Sequence, residues 1–295
     1  MIGDRQTPLQ TLAVQALRNT RLTTRELRMD VVFHLVSPDR PIQCHSALPM
    51  VAASASEQAR DQVLLRVDSI TKQYVDQAVL TDVSFDIQAG EILGIIGPNG
   101  AGKTTLLEAV AGILPIDQGD VRWRGKPLPP SRRREAIFYL PDGVRPYQEQ
   151  SVTRVLSFFA GVYRRSIDEI ADAIESVGLT PVVHKRVHAL SKGYSRRLML
   201  TLGLLAPHPL LLMDEPFDGF DLRQTREIVN LLRVEAVKGR TFVLAIHQLA
   251  DAERVCDRFI LLADGRVRGI GTLGDLRART GISDGRLEDI FLALT

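Results

Sequence analysis

The residue types and spacings that point to chemistry are densest in the stretch 91–107, EILGIIGPNGAGKTTLL. Within it, Gly97-x-x-x-x-Gly102-Lys103-Thr104 fits the phosphate-binding loop. In that loop successive backbone N–H groups cradle phosphate oxygens, a lysine reaches the outer ones and a hydroxyl binds Mg2+. Gly97, Gly100 and Gly102 have no Cβ, so the backbone is expected to take φ > 0 there and to approach the ligand closely. Pro98, Asn99, Ala101 and Thr105 complete the loop. Two acids, Asp214 and Glu215, follow the apolar run 210–213, and His247 follows the apolar run 241–246. The end of a buried strand is where open α/β sheets put their ligands. Phosphoryl transfer to water needs charge neutralisation on the β- and γ-phosphates, a positioned metal and an oriented water. Lys103 and the backbone of 100–105 would supply the first, and Thr104 with Asp214, directly or through a water, would hold Mg2+. Glu215 would be the general base. His247 is open to two readings, a hydrogen bond to the γ-phosphate or water, or an ordinary strand-end role.

These groups need elements to hold them. Ile92–Ile96 is a short apolar run of the kind buried on both faces of a parallel sheet, and helix formers run from Lys103 to near Gly112. That helix would present its unsatisfied N–H groups and positive dipole end to phosphate. Upstream, VLLRVDSI and VLTDVSFDI alternate as strands about a turn at Val75, Asp76 and Gln77. Tyr74 stands at that turn, where its ring either stacks on a base or packs locally. The runs 119–123 and 136–140 read as strands, and Arg132, Arg133 and Arg134 as a solvated turn. Two helical patterns, 152–163 and 167–177, follow without an intervening strand and so read as a helical insert. Leu190-Ser191-Lys192-Gly193-Tyr194-Ser195 introduces a helix through Leu205, with Ser191 or Ser195 as its cap. The last third alternates helix (222–238), strand (241–246), short helix (251–255) and strands (258–263, 266–270) about an Asp264-Gly265 turn. Helices at 273–279 and 287–294 close the chain.

The bulk properties exclude several classes. With 295 residues and 45% apolar content the chain can hold one large domain or two small ones. A formal net charge of +2 gives no long-range field that favours nucleic acid or an anionic membrane surface. Cys44 and Cys256 are far apart and lack metal-like spacing, which fits a reducing compartment with no disulfide framework or zinc site. No stretch reaches the roughly 18 to 20 apolar residues of a spanning helix, and the N-terminus has no secretory signal, so a cytoplasmic location is expected. Residues 1–62 differ from the rest, with scattered arginines and the stretch SPDRPIQ. Three readings compete: a partly disordered extension, a small accessory element, or translated sequence upstream of a start at Met50. Asp4, Glu26 and Asp30 weigh against an organelle import leader. We take 1–62 as a poorly ordered extension without chemistry, before a domain at 63–295.

Taken in order, GPNGAGKTT, LSKGYS, LLLMDEP, DGFD and the strand-end His247 resemble the ATP-binding cassette family. The resemblance runs from Val63 to about residue 280, and the ending Leu287-Glu288-Asp289-Ile290-Phe291 is similar to ATPase subunits of ABC-2 class exporters. It implies an α/β fold: a P-loop NTPase core with a mostly parallel sheet, an antiparallel β subdomain, and an α-helical signature subdomain at about 143–206. ATP and Mg2+ are the implied cofactors. The implied partners are separate membrane-spanning permease subunits and a second ATPase subunit, identical or not, with no nucleic acid, and the implied location is the cytoplasmic face of the membrane. In this family the signature loop of one subunit closes over the ATP of the other, so Ser191 and Gly193 would reach that γ-phosphate. Asp221 would lie in the loop that communicates across the dimer, and His247 would sense the γ-phosphate and orient rather than act as the base. Three positions depart from the family pattern. Lys192 stands where a second Gly is frequent, Tyr194 where Gln is, and Asp142 where a glutamine usually contacts Mg2+ and the membrane partner. Aspartate still binds a hard cation but is shorter and charged. The function expected is an ATP-hydrolysing exporter subunit. The alternatives are a soluble cassette ATPase acting on nucleic acid or ribosomes, which usually carries two cassettes, and a regulatory module that barely hydrolyses. Lys103, Asp214, Glu215 and His247 argue against the last.

Overall fold

The computed structural model describes residues 62–75 and 77–295. The readings of the N-terminal segment, including a start at Met50, and of Cys44 lie outside the described residues. In chain order the first half comprises β1 (Val63–Tyr74), β2 (Gln77–Gln88), β3 (Ile92–Ile96), α1 (Lys103–Ala111), β4 (Gln118–Trp123), β5 (Lys126–Pro127), α2 (Pro130–Arg133) and β6 (Ile137–Leu140). Next come α3 (Val152–Tyr163), α4 (Ile167–Val177), α5 (Lys192–Leu205), β7 (Leu210–Asp214), α6 (Leu222–Val237) and β8 (Thr241–Ile246). The last are α7 (Leu249–Val255), β9 (Arg258–Ala263), β10 (Arg266–Gly271), α8 (Leu273–Thr280) and α9 (Leu287–Leu294). The described chain divides into two units, one made of 143–207 with 218–220 and the other of the remaining segments.

The larger unit holds two sheets. Six strands run in the order β10-β9-β3-β8-β7-β6, all parallel neighbours except the antiparallel β9-β10 pair. Every residue of β3, β7 and β8 is buried, which is why these strands read as unbroken apolar runs rather than alternating ones. Four further strands form an antiparallel sheet in the order β2-β1-β4-β5. Its inward Leu65, Val67, Ile70, Leu80 and Ile87 join Leu93 and Ile95 of β3 and Leu106 and Leu107 of α1 in one apolar cluster. Register then aligns the strand ends. Ile96 pairs with Ile246 and Asp214 with Ala245, so the residues after β3, β7 and β8 emerge side by side at one edge.

Two local expectations are corrected here. The arginine run is not a solvated turn: it overlaps α2, and Arg133 is 2% exposed. Its guanidinium donates to the carbonyl of Ala109 near the C-terminal end of α1, which also accepts the Gly112 N–H, and to the carbonyl of Leu128 between β5 and α2 at 3.1 Å. A solvated reading failed because the charge of an arginine says nothing about which side of a short helix turns inward. Gly97, unlike Gly100 (φ 83°) and Gly102 (φ 99°), is not in the left-handed region. It is glycine because a Cβ there would stand 2.3 Å from the Leu262 carbonyl oxygen on neighbouring β9.

The smaller unit contains α3, α4 and α5. Ser151 caps α3, and Ser166 with Glu169 forms a capping box on α4. Of the two cap candidates for α5, Ser191 holds the position, its Oγ accepting from the Tyr194 N–H at 3.3 Å. Ser195 is inside the helix and buried. Two single 3-10 turns, Thr180–Val182 and Val187–Ala189, escaped periodicity because three residues are too few to show a period.

Candidate functional site

The loop between β3 and α1 folds as its glycines require. Gly102 takes φ 99° as the N-cap of α1, and a Cβ there would stand 2.9 Å from the Val79 carbonyl oxygen of β2. The first turn of α1, starting at Lys103, has N–H groups with no partner inside the helix, which makes it an anion site. Pro98, Asn99 and Gly100 are exposed at the crest of the loop, and Ala101 is buried under it. The Lys103 side chain is buried, and Nζ donates to the carbonyls of Gly97 at 2.9 Å and Pro98 at 3.2 Å. Nζ also lies 4.0 Å from Glu215 Oε1. Burial lowers the Lys103 pKa, and Glu215 and Asp214 oppose that shift.

The carboxylates complete the edge. Asp214 is 3% exposed at the end of β7, and its Oδ2 accepts from the Thr104 hydroxyl at 2.6 Å. Glu215, one residue on, has φ 48°, a left-handed conformation that costs a non-glycine residue about 1–3 kcal/mol and persists only where surroundings enforce it. Its N–H is held by Ala245 O at 3.0 Å. The carboxylate is held too, because His247 Nδ1 lies 2.6 Å from Glu215 Oε2. The sequence placed each of these residues at a strand or helix end. The structure pairs them, Thr104 with Asp214 and His247 with Glu215.

Other predicted residues stand on other elements. Tyr74 ends β1 and is 45% exposed, and Lys72 Nζ sits 5.2 Å from its ring centroid. Asp142 is exposed, two residues beyond β6. Among the described residues no cluster of three His, Cys, Asp or Glu side chains is arranged to hold a metal. Ser191 and Gly193 open α5 in the other unit, Ser191 exposed and Gly193 half-buried. Lys192, between them, pairs with Asp218 at 2.8 Å, and its stem runs over Gly219, where a Cβ would stand 2.8 Å from Lys192 Cγ. Asp221 caps α6 in a capping box with Gln224. Sequence reasoning passed over Glu108 and Tyr139, which lie within electrostatic reach of Asp214. The spacing of Glu108, four residues after Thr104, carried the signal, and nothing local marked Tyr139.

In chemical terms this edge combines an anion cradle, a lysine, a hydroxyl–carboxylate pair and a second carboxylate oriented by an imidazole. That set can bind a triphosphate and activate a water beside it.

The ABC transporter family model matches residues 80–218. The chain is 32% identical over 238 residues to the ABC-type transporter ATP-binding protein EcsA of Bacillus subtilis, covering 79% of this chain and 96% of EcsA. It is 33% identical over 235 residues to the Nod factor export ATP-binding protein I of Rhizobium etli, covering 78% of this chain and 74% of that protein. Among solved structures it is similar to an ATP binding subunit of an ABC transporter. There the TM-score is 0.71 at 31% identity, over 78% of this chain and 99% of the other.

Proposed function

The chain belongs to the ABC transporter family, and from that premise we propose that it powers export, docked on the cytoplasmic side of separate membrane-spanning subunits. ATP binding and hydrolysis coupled to transport come with the family, as do a membrane partner and dimerisation. The outward direction rests on the similarity to a Nod factor export protein and on the LEDIF ending. No helix among the described residues is long and apolar enough to cross a membrane, so the pore is assigned to other chains.

The observation that carries the catalytic reading is the convergence of Lys103, Thr104, Asp214, Glu215 and His247 through two 2.6 Å contacts. Lys103 and the N–H groups of the loop, Gly97 to Thr105, bind the β- and γ-phosphates. Tyr74 stacks on the base with its exposed face. Hard oxygen donors already adjacent, the Thr104 hydroxyl and the Asp214 carboxylate, fit Mg2+, which is usually held by one or two carboxylates plus substrate phosphates. Asp142 would add a second carboxylate. When bound, Mg2+ offsets the negative charge on the phosphate oxygens. Glu215 takes the proton of the attacking water, and His247 holds that carboxylate in line through Nδ1, leaving Nε2 for the γ-phosphate. Ser191 and Gly193 of a second subunit complete the site through the N-terminus of their helix.

An apolar groove in the helical unit, with Val144, Tyr147, Phe158, Phe159 and Met199 among its lining, supports docking of a cytoplasmic segment of the membrane partner. Tyr147 is 54% exposed there, directly after the loop that carries Asp142. The test is Glu215→Gln. Hydrolysis should fall at least about 10²-fold with ATP affinity unchanged, and the ATP-bound dimer should persist on gel filtration. Hydrolysis at the parent rate would remove Glu215 as the base, and co-purification with ribosomes in place of a membrane chain would remove the transport reading.

A further inference from the structure

The chemistry above leaves Tyr139 unused. It lies on β6 in register with Leu212 of β7, two residues short of Asp214, and packs against the apolar cluster containing Leu106 and Leu107. Its hydroxyl is buried and has no hydrogen-bond partner among the described residues. An unpaired buried hydroxyl is left without the hydrogen bonds that water would give it, and so opposes folding. Phenylalanine, which the chain uses at the adjacent Phe138, would fill the same space without that cost. The charged groups within electrostatic reach of the phenol are all carboxylates, Asp214 first, then Glu108 and Asp142. Burial, reinforced by those three, pushes the phenol far above its ordinary range, so it stays a neutral hydroxyl with a proton to donate. Glu108 lies one helical turn beyond Thr104 on the same face of α1, half-buried, and burial and then Asp214 push its carboxyl up. A donor that faces acceptors without touching them is satisfied by a bridging water, which needs two to four polar partners.

We propose that Tyr139 and Glu108 are positioning residues for the metal-holding pair: together they hold a water that hydrogen-bonds to the Asp214 carboxylate and fixes its orientation beside Thr104. This rests on the reading of Thr104 and Asp214 as the Mg2+ site. Outer partners of this kind change metal affinity by about 10–100-fold when removed.

The test uses the full chain with a non-hydrolysable ATP analogue and Mn2+ as a spin probe, alongside nucleotide titration in chelator and thermal unfolding without nucleotide. Tyr139→Phe should weaken Mn2+ binding about 10-fold, leave metal-free nucleotide affinity unchanged and leave thermal stability equal or higher. Glu108→Gln should weaken Mn2+ binding in the same direction, and Asp214→Asn should abolish it. If Asp214→Asn keeps parent Mn2+ affinity, the metal-site reading falls and this proposal with it. If Asp214→Asn loses Mn2+ while Tyr139→Phe and Glu108→Gln bind it as the parent does, the positioning role alone is overturned. The positioning role also falls if Tyr139→Phe loses metal-free nucleotide affinity and stability to the extent that it loses Mn2+, since that marks a purely structural side chain.

Discussion

At the residue scale, Gly97 and Gly100 are glycines for different reasons. Gly100 takes φ 83° with open space around it, so only its backbone conformation excludes a side chain. Gly97 has ordinary φ, but a Cβ would stand 2.3 Å from Leu262 O and 3.0 Å from Ala101 Cβ. Backbone cannot swing away as the end of a flexible side chain does. Gly97→Ala should therefore lower both the unfolding temperature and the ATP affinity, the latter by about 10-fold or more, since 1.4 kcal/mol suffices. Gly100→Ala should cost about 1–2 kcal/mol of left-handed strain and leave β9 in place. Thermal unfolding with a fluorescent nucleotide titration separates the two, and equal effects would refute the contact argument. The motif itself was legible in the sequence because it is a local string. The reason for Gly97 was not, since Leu262 is a distant neighbour in sequence.

At the element scale, α1 is fastened at both ends, by the loop at its N-terminus and by Arg133 near its C-terminus. The Arg133 guanidinium donates to Ala109 O and Leu128 O from a buried position, and burial lowers its pKa while Asp120 opposes that. A cation near the last carbonyls also suits the helix dipole. Arg133→Met keeps the stem but removes the guanidinium donor from Leu128 O and leaves Ala109 O with the Gly112 N–H alone, so it should cost about 1–3 kcal/mol. Arg132→Met and Arg134→Met, on exposed side chains, should stay within about 0.5 kcal/mol. Denaturant unfolding of the three variants checks this, and equal losses would restore the solvated-turn reading. The periodic helices α3 and α4 and the unbroken apolar runs of β3 and β8 were legible within a residue or so because those signals are local. The four residues of α2 carry too little period to say which arginine faces in.

At the scale of the whole molecule, His208 gives the larger unit a pH-dependent stability. Its ring lies against Phe138 and close to Arg134 O at 3.0 Å; burial lowers its pKa, the contact with Arg134 O raises it, and Arg240 lowers it. The native state therefore binds fewer protons than the unfolded chain below the ordinary histidine value of 6.5. That contribution is complete above the unfolded value and is lost as pH falls through the depressed native one. His208→Gln should flatten the fall of unfolding temperature between about pH 7 and pH 5, and parallel profiles for parent and variant would overturn the assignment. The sequence by itself determined the order of the longer helices and strands, the phosphate loop, the strand-end acids and the family. These rest on local periodicity and on short strings whose backbone chemistry needs no distant partner. Only the tertiary structure decided that Thr104 meets Asp214 across 110 residues and His247 meets Glu215 across 32. It alone decided that Arg133 turns inward and that the Tyr139 hydroxyl lacks a partner among the described residues. Those contacts depend on which strands lie side by side and in what register, and no local pattern encodes either.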